Sequence, residues 1–189
     1  PPSVDTLVIE STYGDRRHPR SGVDELADIV RRIVDPRGVV VIPAFAVDRT
    51  EVLLIVLGEL MSAGRIPSLP VYVDSPMALR VLEIYRSANP GVEFDPGGGL
   101  HMCPSVEDSK ALNELTAPAI IISASGMASG GRVLHHLARL LPNHRNSVVL
   151  CGFQAAGTRG RSLSDGARTL KMLGRYIPVR ADVLTLRSL

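Results

Sequence analysis

The chain has 189 residues, 45% of them apolar, and its 21 Lys and Arg stand against 19 Asp and Glu for a formal net charge of +2. That is enough for one compact domain with a real core, and it excludes a disordered tail. It also excludes a membrane helix, which needs an apolar run of roughly 18 residues, and a disulfide framework, because Cys103 and Cys151 are the only cysteines.

Short apolar runs alternate with amphipathic stretches along the chain. Strands are expected at 6–10, 39–43, 71–74, 119–123 and 148–151, and their near-continuous Val and Ile content suits strands buried on both faces. Helices are expected between them. Residues 23–34 place Leu26, Ile29, Val30 and Ile33 at helical spacing. Residues 48–62 open with Asp48-Arg49-Thr50-Glu51, which reads as an N-cap with an acid three residues on. Ser75-Pro76 reads as a cap followed by proline at the first helical position, and Ser105-Val106-Glu107-Asp108 opens another helix. Residues 132–141 carry Val133, Leu134, Leu137 and Leu140 on one side. Residues 89–104, with Pro96-Gly97-Gly98-Gly99, read as a mobile excursion. The tail reads as two strands, at 170–173 and 176–183, with no helix behind them. The fold class expected is α/β, a doubly wound and mostly parallel sheet with helices on both faces.

Ligands of such sheets bind beyond the carboxyl ends of the strands. Here those ends carry small and polar motifs. The most physical of them is Ser123-Ala124-Ser125-Gly126-Met127-Ala128-Ser129-Gly130-Gly131-Arg132, glycines leading into a helix start. That combination holds phosphate, but the same glycines also serve a tight turn. It is neither a Walker loop nor a dinucleotide loop, which counts against an unrelated nucleotide-binding domain. Arg49, Arg132, Arg159 and Arg161 fall at or near this edge and suggest a phosphate-backbone groove. Arginine supplies every basic position except Lys110 and Lys171, a bias that fits phosphate contact and equally a GC-rich genome. The histidines show no His-x-His pair, and adjacent His135 and His136 point about 100° apart on a helix.

Several motifs in order resemble the β-CASP metallo-β-lactamase nucleases. They are Glu10-Ser11-Thr12-Tyr13-Gly14-Asp15-Arg16 with His18, Ile42-Pro43-Ala44-Phe45-Ala46-Val47 with Arg49, Val73-Asp74-Ser75-Pro76-Met77-Ala78, Ser125-Gly126-Met127 with Gly130-Gly131-Arg132 and His136-Leu137, and Gly152-Phe153-Gln154 with Gly157-Thr158 and Gly160-Arg161. The glycine-rich segment is most similar to the pre-mRNA 3′-end endonuclease branch and its prokaryotic relatives. With only two cysteines, a reducing cytoplasm is the expected compartment. The resemblance implies a two-domain RNA-processing hydrolase with two zinc ions, in which RNA threads a cleft between a metallo-β-lactamase domain and the inserted β-CASP domain. It implies that the family's His-x-His-x-Asp-His motif lies upstream of Pro1 and its later histidines beyond Leu189. This chain is then expected to bind no metal and to be inactive alone.

On this reading residues 1–20 form the junction with the metallo-β-lactamase domain, 21–165 the β-CASP domain, and 166–189 strands returning to the neighbour. Glu10 matches the family's acidic motif in a supporting catalytic role. Arg49, Ser75, Ser125, Gly126, Met127, Gly130, Gly131 and Arg132 are the candidate RNA contacts. The partners implied are single-stranded RNA, the metallo-β-lactamase domain of the same protein and a second copy in a homodimer, with no membrane. The alternative is a non-catalytic RNA- or protein-binding module of the same fold.

Overall fold

The computed structural model describes residues 3–12, 14, 22–34, 38–95, 99–116 and 118–186. Tyr13, the 15–18 part of the first motif and the 96–98 part of the Pro-Gly run lie outside them. Six strands form one parallel sheet in the order β3-β2-β4-β1-β5-β8. They are β1 (Val39–Pro43), β2 (Val71–Asp74), β3 (Leu100–Met102), β4 (Ala119–Ser123), β5 (Ser147–Cys151) and β8 (Asp182–Leu186). Between β5 and β8, a separate antiparallel hairpin joins β6 (Thr169–Met172) to β7 (Arg175–Pro178).

Alternation along each strand sorts side chains into two cores. On one face, Val40, Ile42, Ile120, Ile122 and Val149 pack against α1 (Gly22–Val34), α2 (Arg49–Ser62) and α3 (Pro76–Ala88). On the other, Val41, Ile121, Val148 and Leu150 pack against α5 (Val133–Leu140) and Leu163 of α6 (Arg159–Ser164). The sheet is therefore doubly wound. Between β3 and β4 lie the short α4 (Val106–Ala111) and a 3₁₀ turn at Leu112–Glu114.

Local signals explain most helix starts. Ser75 caps α3 by accepting from the Ala78 amide at 3.3 Å, with Pro76 at the first position. Ser105 and Asp108 form a reciprocal capping box on α4. Helix α1 has acids in its first turn and arginines in its last, each favourable to the helix dipole.

Other expectations are corrected. Residues 6–10 form no strand; Leu7, Val8 and Ile9 are 72%, 90% and 66% exposed, because no described strand pairs with them. Asp48 stands at the N-cap position of α2, but its φ of 68° is left-handed and its side chain makes no cap bond, while the Thr50 hydroxyl donates to the Phe45 carbonyl. The excursion at 89–104 contains β3, which pairs with β2. Helix α6 has no counterpart among the expected helices; Thr158 caps it, its hydroxyl accepting from the Arg161 amide at 3.2 Å. The single strand expected at 176–183 breaks after Pro178. Beyond the break, the Arg180 and Ala181 amides donate to the Leu141 carbonyl, and β8 joins the main sheet beside β5. Leu170, Met172 and Ile177 of the hairpin enter the second core. The tail thus shares this domain's core, and α6 lies against β8.

Candidate functional site

The carboxyl ends of β1, β4 and β2 are level, with Pro43 and Asp74 both in register with Ser123. Asp74 is fully buried at this edge and organises it. Its Oδ1 accepts from Arg132 Nη1 at 2.7 Å. Its Oδ2 accepts from the Ser109 hydroxyl at 2.6 Å and lies 2.6 Å from His136 Nε2. The Ser123 hydroxyl donates to its backbone carbonyl at 2.9 Å. Burial pushes the Asp74 carboxyl up, but bonds from His136, Ser109 and Arg132 outweigh it, and the net direction is down. The same carboxylate sits near Cys103, whose thiol burial pushes up to about 11.

Arg132 also donates to the Cys103 carbonyl from Nη1 and to the Pro104 carbonyl from Nη2. Both terminal nitrogens are engaged inside the protein, and its side chain is 20% exposed. Arg132 therefore anchors the glycine-rich loop to β2 and to the segment after β3. It is not a free phosphate fork. His136 is 1% exposed and its Nδ1 has no hydrogen-bond partner.

The glycine-rich loop closes on Ser125. Its hydroxyl accepts from the Ser129 and Gly130 amides at 3.1 and 3.3 Å. The Ala124 carbonyl accepts from Val133, the first residue of α5. These bonds satisfy several of the amides that the sequence offered to phosphate. Two glycines have local reasons to be glycine. At Gly126 a Cβ would meet the Phe45 ring at 2.7 Å, and Gly131 has φ +79° with the Ala124 carbonyl oxygen at 2.7 Å from a Cβ. Gly130 has neither reason: its φ is ordinary and nothing lies within 4 Å of a Cβ. The Gly126 carbonyl accepts from the buried Gln154 amide at 3.1 Å, and the Met127 carbonyl accepts from the Gly160 amide at 2.9 Å. The loop after β5 therefore braces the glycine-rich loop.

The remaining predicted residues fall around this frame. Arg49 is half-buried at the start of α2, and its charge acts on Cys151, whose thiol burial pushes up to about 12. Ser75 is buried, with its hydroxyl used as a helix cap. Glu10 is exposed and accepts from the Thr12 amide at 2.6 Å; the Thr12 contact holds its carboxyl below the usual range. No bond joins Glu10 to the Asp74 cluster among the described residues. The residues that sequence reasoning missed are Asp74, Ser109 and His136 as one cluster. A signal existed for two of them. Asp74 ends an apolar strand, and His136 interrupts the buried stripe Val133, Leu137, Leu140 of α5, which demands a polar partner.

The described residues do not fit zinc. No three His, Cys, Asp or Glu converge among them, and Arg132 takes the Asp74 oxygen that His136 leaves.

The Beta-Casp domain family matches residues 50–163, more than half of the chain. The chain belongs to the β-CASP family. Its similar relatives include Ribonuclease TTHA0252 of Thermus thermophilus, 38% identical, covering 98% of this chain and 46% of the relative. An RNase J-like protein of Methanocaldococcus jannaschii is 31% identical, covering 96% of this chain and 45% of the relative. Transcription termination factor FttA of Methanosarcina mazei is 30% identical, covering 92% of this chain and 30% of the relative. The chain spans less than half the length of these curated relatives. The matched residues hold β2, β3, β4 and β5 of the parallel sheet, with the glycine-rich loop between β4 and α5.

Proposed function

We propose that this chain is the substrate-clamping β-CASP part of a zinc-dependent, cytoplasmic ribonuclease that hydrolyses RNA phosphodiester bonds. Cleavage would come from a metallo-β-lactamase domain of the same protein, which would bind both zinc ions; no described residue is assigned to them. The relatives named for ribonuclease activity, each about twice this chain's length, support the reading. The exposed apolar segment with Val4, Leu7, Val8 and Ile9 gives such a neighbour a surface to cover.

The observation that carries the clamp is Gly130. It lies in a loop braced from three sides, yet its own surroundings are open. A loop held this stiffly, with open space over one glycine whose own amide and carbonyl are bonded to Ser125, suits close packing of a sugar-phosphate chain. Arg132 and Asp74 hold the loop in that shape, Arg49 adds positive charge nearby, and Glu10 belongs to the junction with the neighbour.

Fluorescence anisotropy of labelled single-stranded RNA on the full-length protein tests this. Log affinity is expected to fall linearly with log salt, by about 0.7 per phosphate neutralised. Absent or salt-independent binding contradicts the clamp. The 189-residue chain alone is expected to cleave no RNA, even with added zinc. Chelator-sensitive cleavage by this chain alone would overturn that part.

A further inference from the structure

We propose that the β6–β7 hairpin is a second RNA contact, in which Lys171 and Arg175 hold phosphate and Tyr176 stacks on a base. This rests on the RNA-clamp reading above and extends the path beyond the glycine-rich loop.

Charge is the first observation. Residues 166–181 carry Arg168, Lys171, Arg175 and Arg180 and no acid, which leaves 17 basic against 19 acidic residues, net −2, in the rest of the chain. All four are exposed, and none makes an ion pair among the described residues. Clustered basic charge of this kind on one element is an electrostatic footprint of nucleic-acid binding.

The second observation is an open ring beside those charges. Tyr176 is 72% exposed, sits opposite Lys171 in the ladder, and its ring centre lies 5.9 Å from the Lys171 ammonium. A base stacked on the ring face that Lys171 does not cover brings its phosphate within reach of Lys171, on the same side of the ladder. Arg175, opposite Met172, leaves the other side at the turn end, so the RNA backbone would reach it by passing round the turn. The turn adds a third. Leu173 is 44% exposed and held at φ 49°, a conformation that disfavours leucine, so an apolar side chain is presented to solvent at a conformational cost.

Position links the hairpin to the clamp. Arg159 donates to the Lys171 carbonyl from Nε at 2.8 Å and to the Ser129 carbonyl of the glycine-rich loop from Nη1 at 3.3 Å. The opposite end of the hairpin is tied to Leu141, at the far end of α5. The turn end therefore points toward the same sheet edge as Gly130.

The test titrates labelled single-stranded RNA into the full-length protein as wild type, Lys171→Ala with Arg175→Ala, Tyr176→Ala and Tyr176→Phe. The double variant is expected to lower the salt slope by about 1.4. Tyr176→Ala should weaken binding at least fivefold, and Tyr176→Phe should retain it. RNA carrying 5-iodouracil should photocrosslink to Tyr176 in the wild type. Wild-type binding with unchanged affinity and slope in every variant, and no crosslink, overturns the hairpin contact while leaving the clamp intact. No wild-type binding at all overturns both.

Discussion

Asp74 and Glu51 are opposite kinds of buried acid, and each makes a prediction. Asp74 has a hydrogen-bonded partner on each oxygen and a carboxyl held below the ordinary aspartate value of 3.8. Its stabilising contribution is present above that value and is lost as pH falls through the lower folded value. Asp74→Ala leaves Arg132 without its buried partner and is expected to cost roughly 3–5 kcal/mol in urea denaturation at neutral pH. Glu51 is 1% exposed, and neither carboxylate oxygen has a hydrogen-bond partner. Burial pushes it above the ordinary 4.5, while nearby backbone amides pull the other way without reaching bonding geometry. The fold therefore favours the protonated form, and stability falls as pH rises through 4.5 toward the raised value. Glu51→Gln is expected to raise stability at pH 7 by about 1 kcal/mol, read as a higher urea midpoint. An unchanged midpoint would mean that the carboxylate has an unseen partner.

Within the glycine-rich loop, Gly126 and Gly131 have steric reasons to be glycine, and Gly130, the proposed backbone contact, has none. Gly131→Ala forces a left-handed alanine against the Ala124 carbonyl and is expected to destabilise by about 2 kcal/mol. Gly130→Ala meets nothing within 4 Å and is expected to shift stability by less than about 0.5 kcal/mol. If it nevertheless weakens RNA binding, approach to the backbone is what it blocks. In the hairpin, Leu173 at φ 49° and Gly174 at φ 76° form a turn with two left-handed residues. Leu173→Asn is expected to raise the thermal midpoint, equivalent to about 0.5–1 kcal/mol, because asparagine tolerates that conformation. Most elements were legible because their signals are local: apolar runs for β1, β2 and β4, and Ser-x-x-Asp for α4. The misses have a physical cause too. Residues 6–10 look like a strand but no described strand pairs with them, and α6 hides its start behind Arg159-Gly160-Arg161.

For the molecule as a whole, the parallel sheet brings every strand end to one edge, and chain connectivity does the rest. Asp74 of β2, Ser109 of α4, and Arg132 and His136 at the N-cap and in the first turn of α5 meet only because β2 and β4 are neighbours. The edge and its glycine-rich loop are legible in the sequence, whereas the bond from Arg132 to Asp74 joins residues 58 positions apart and leaves no local trace. Phe45, Val47 and Met77, in the segments that follow β1 and β2, give this edge exposed apolar side chains. RNA is proposed to lie across this edge. Hydrogen–deuterium exchange of the full-length protein, with and without single-stranded RNA, tests this most directly. Protection is expected to concentrate at 125–132 and 169–178, with the helices on either face of the sheet unchanged. Protection confined to segments away from both would contradict this placement of the RNA.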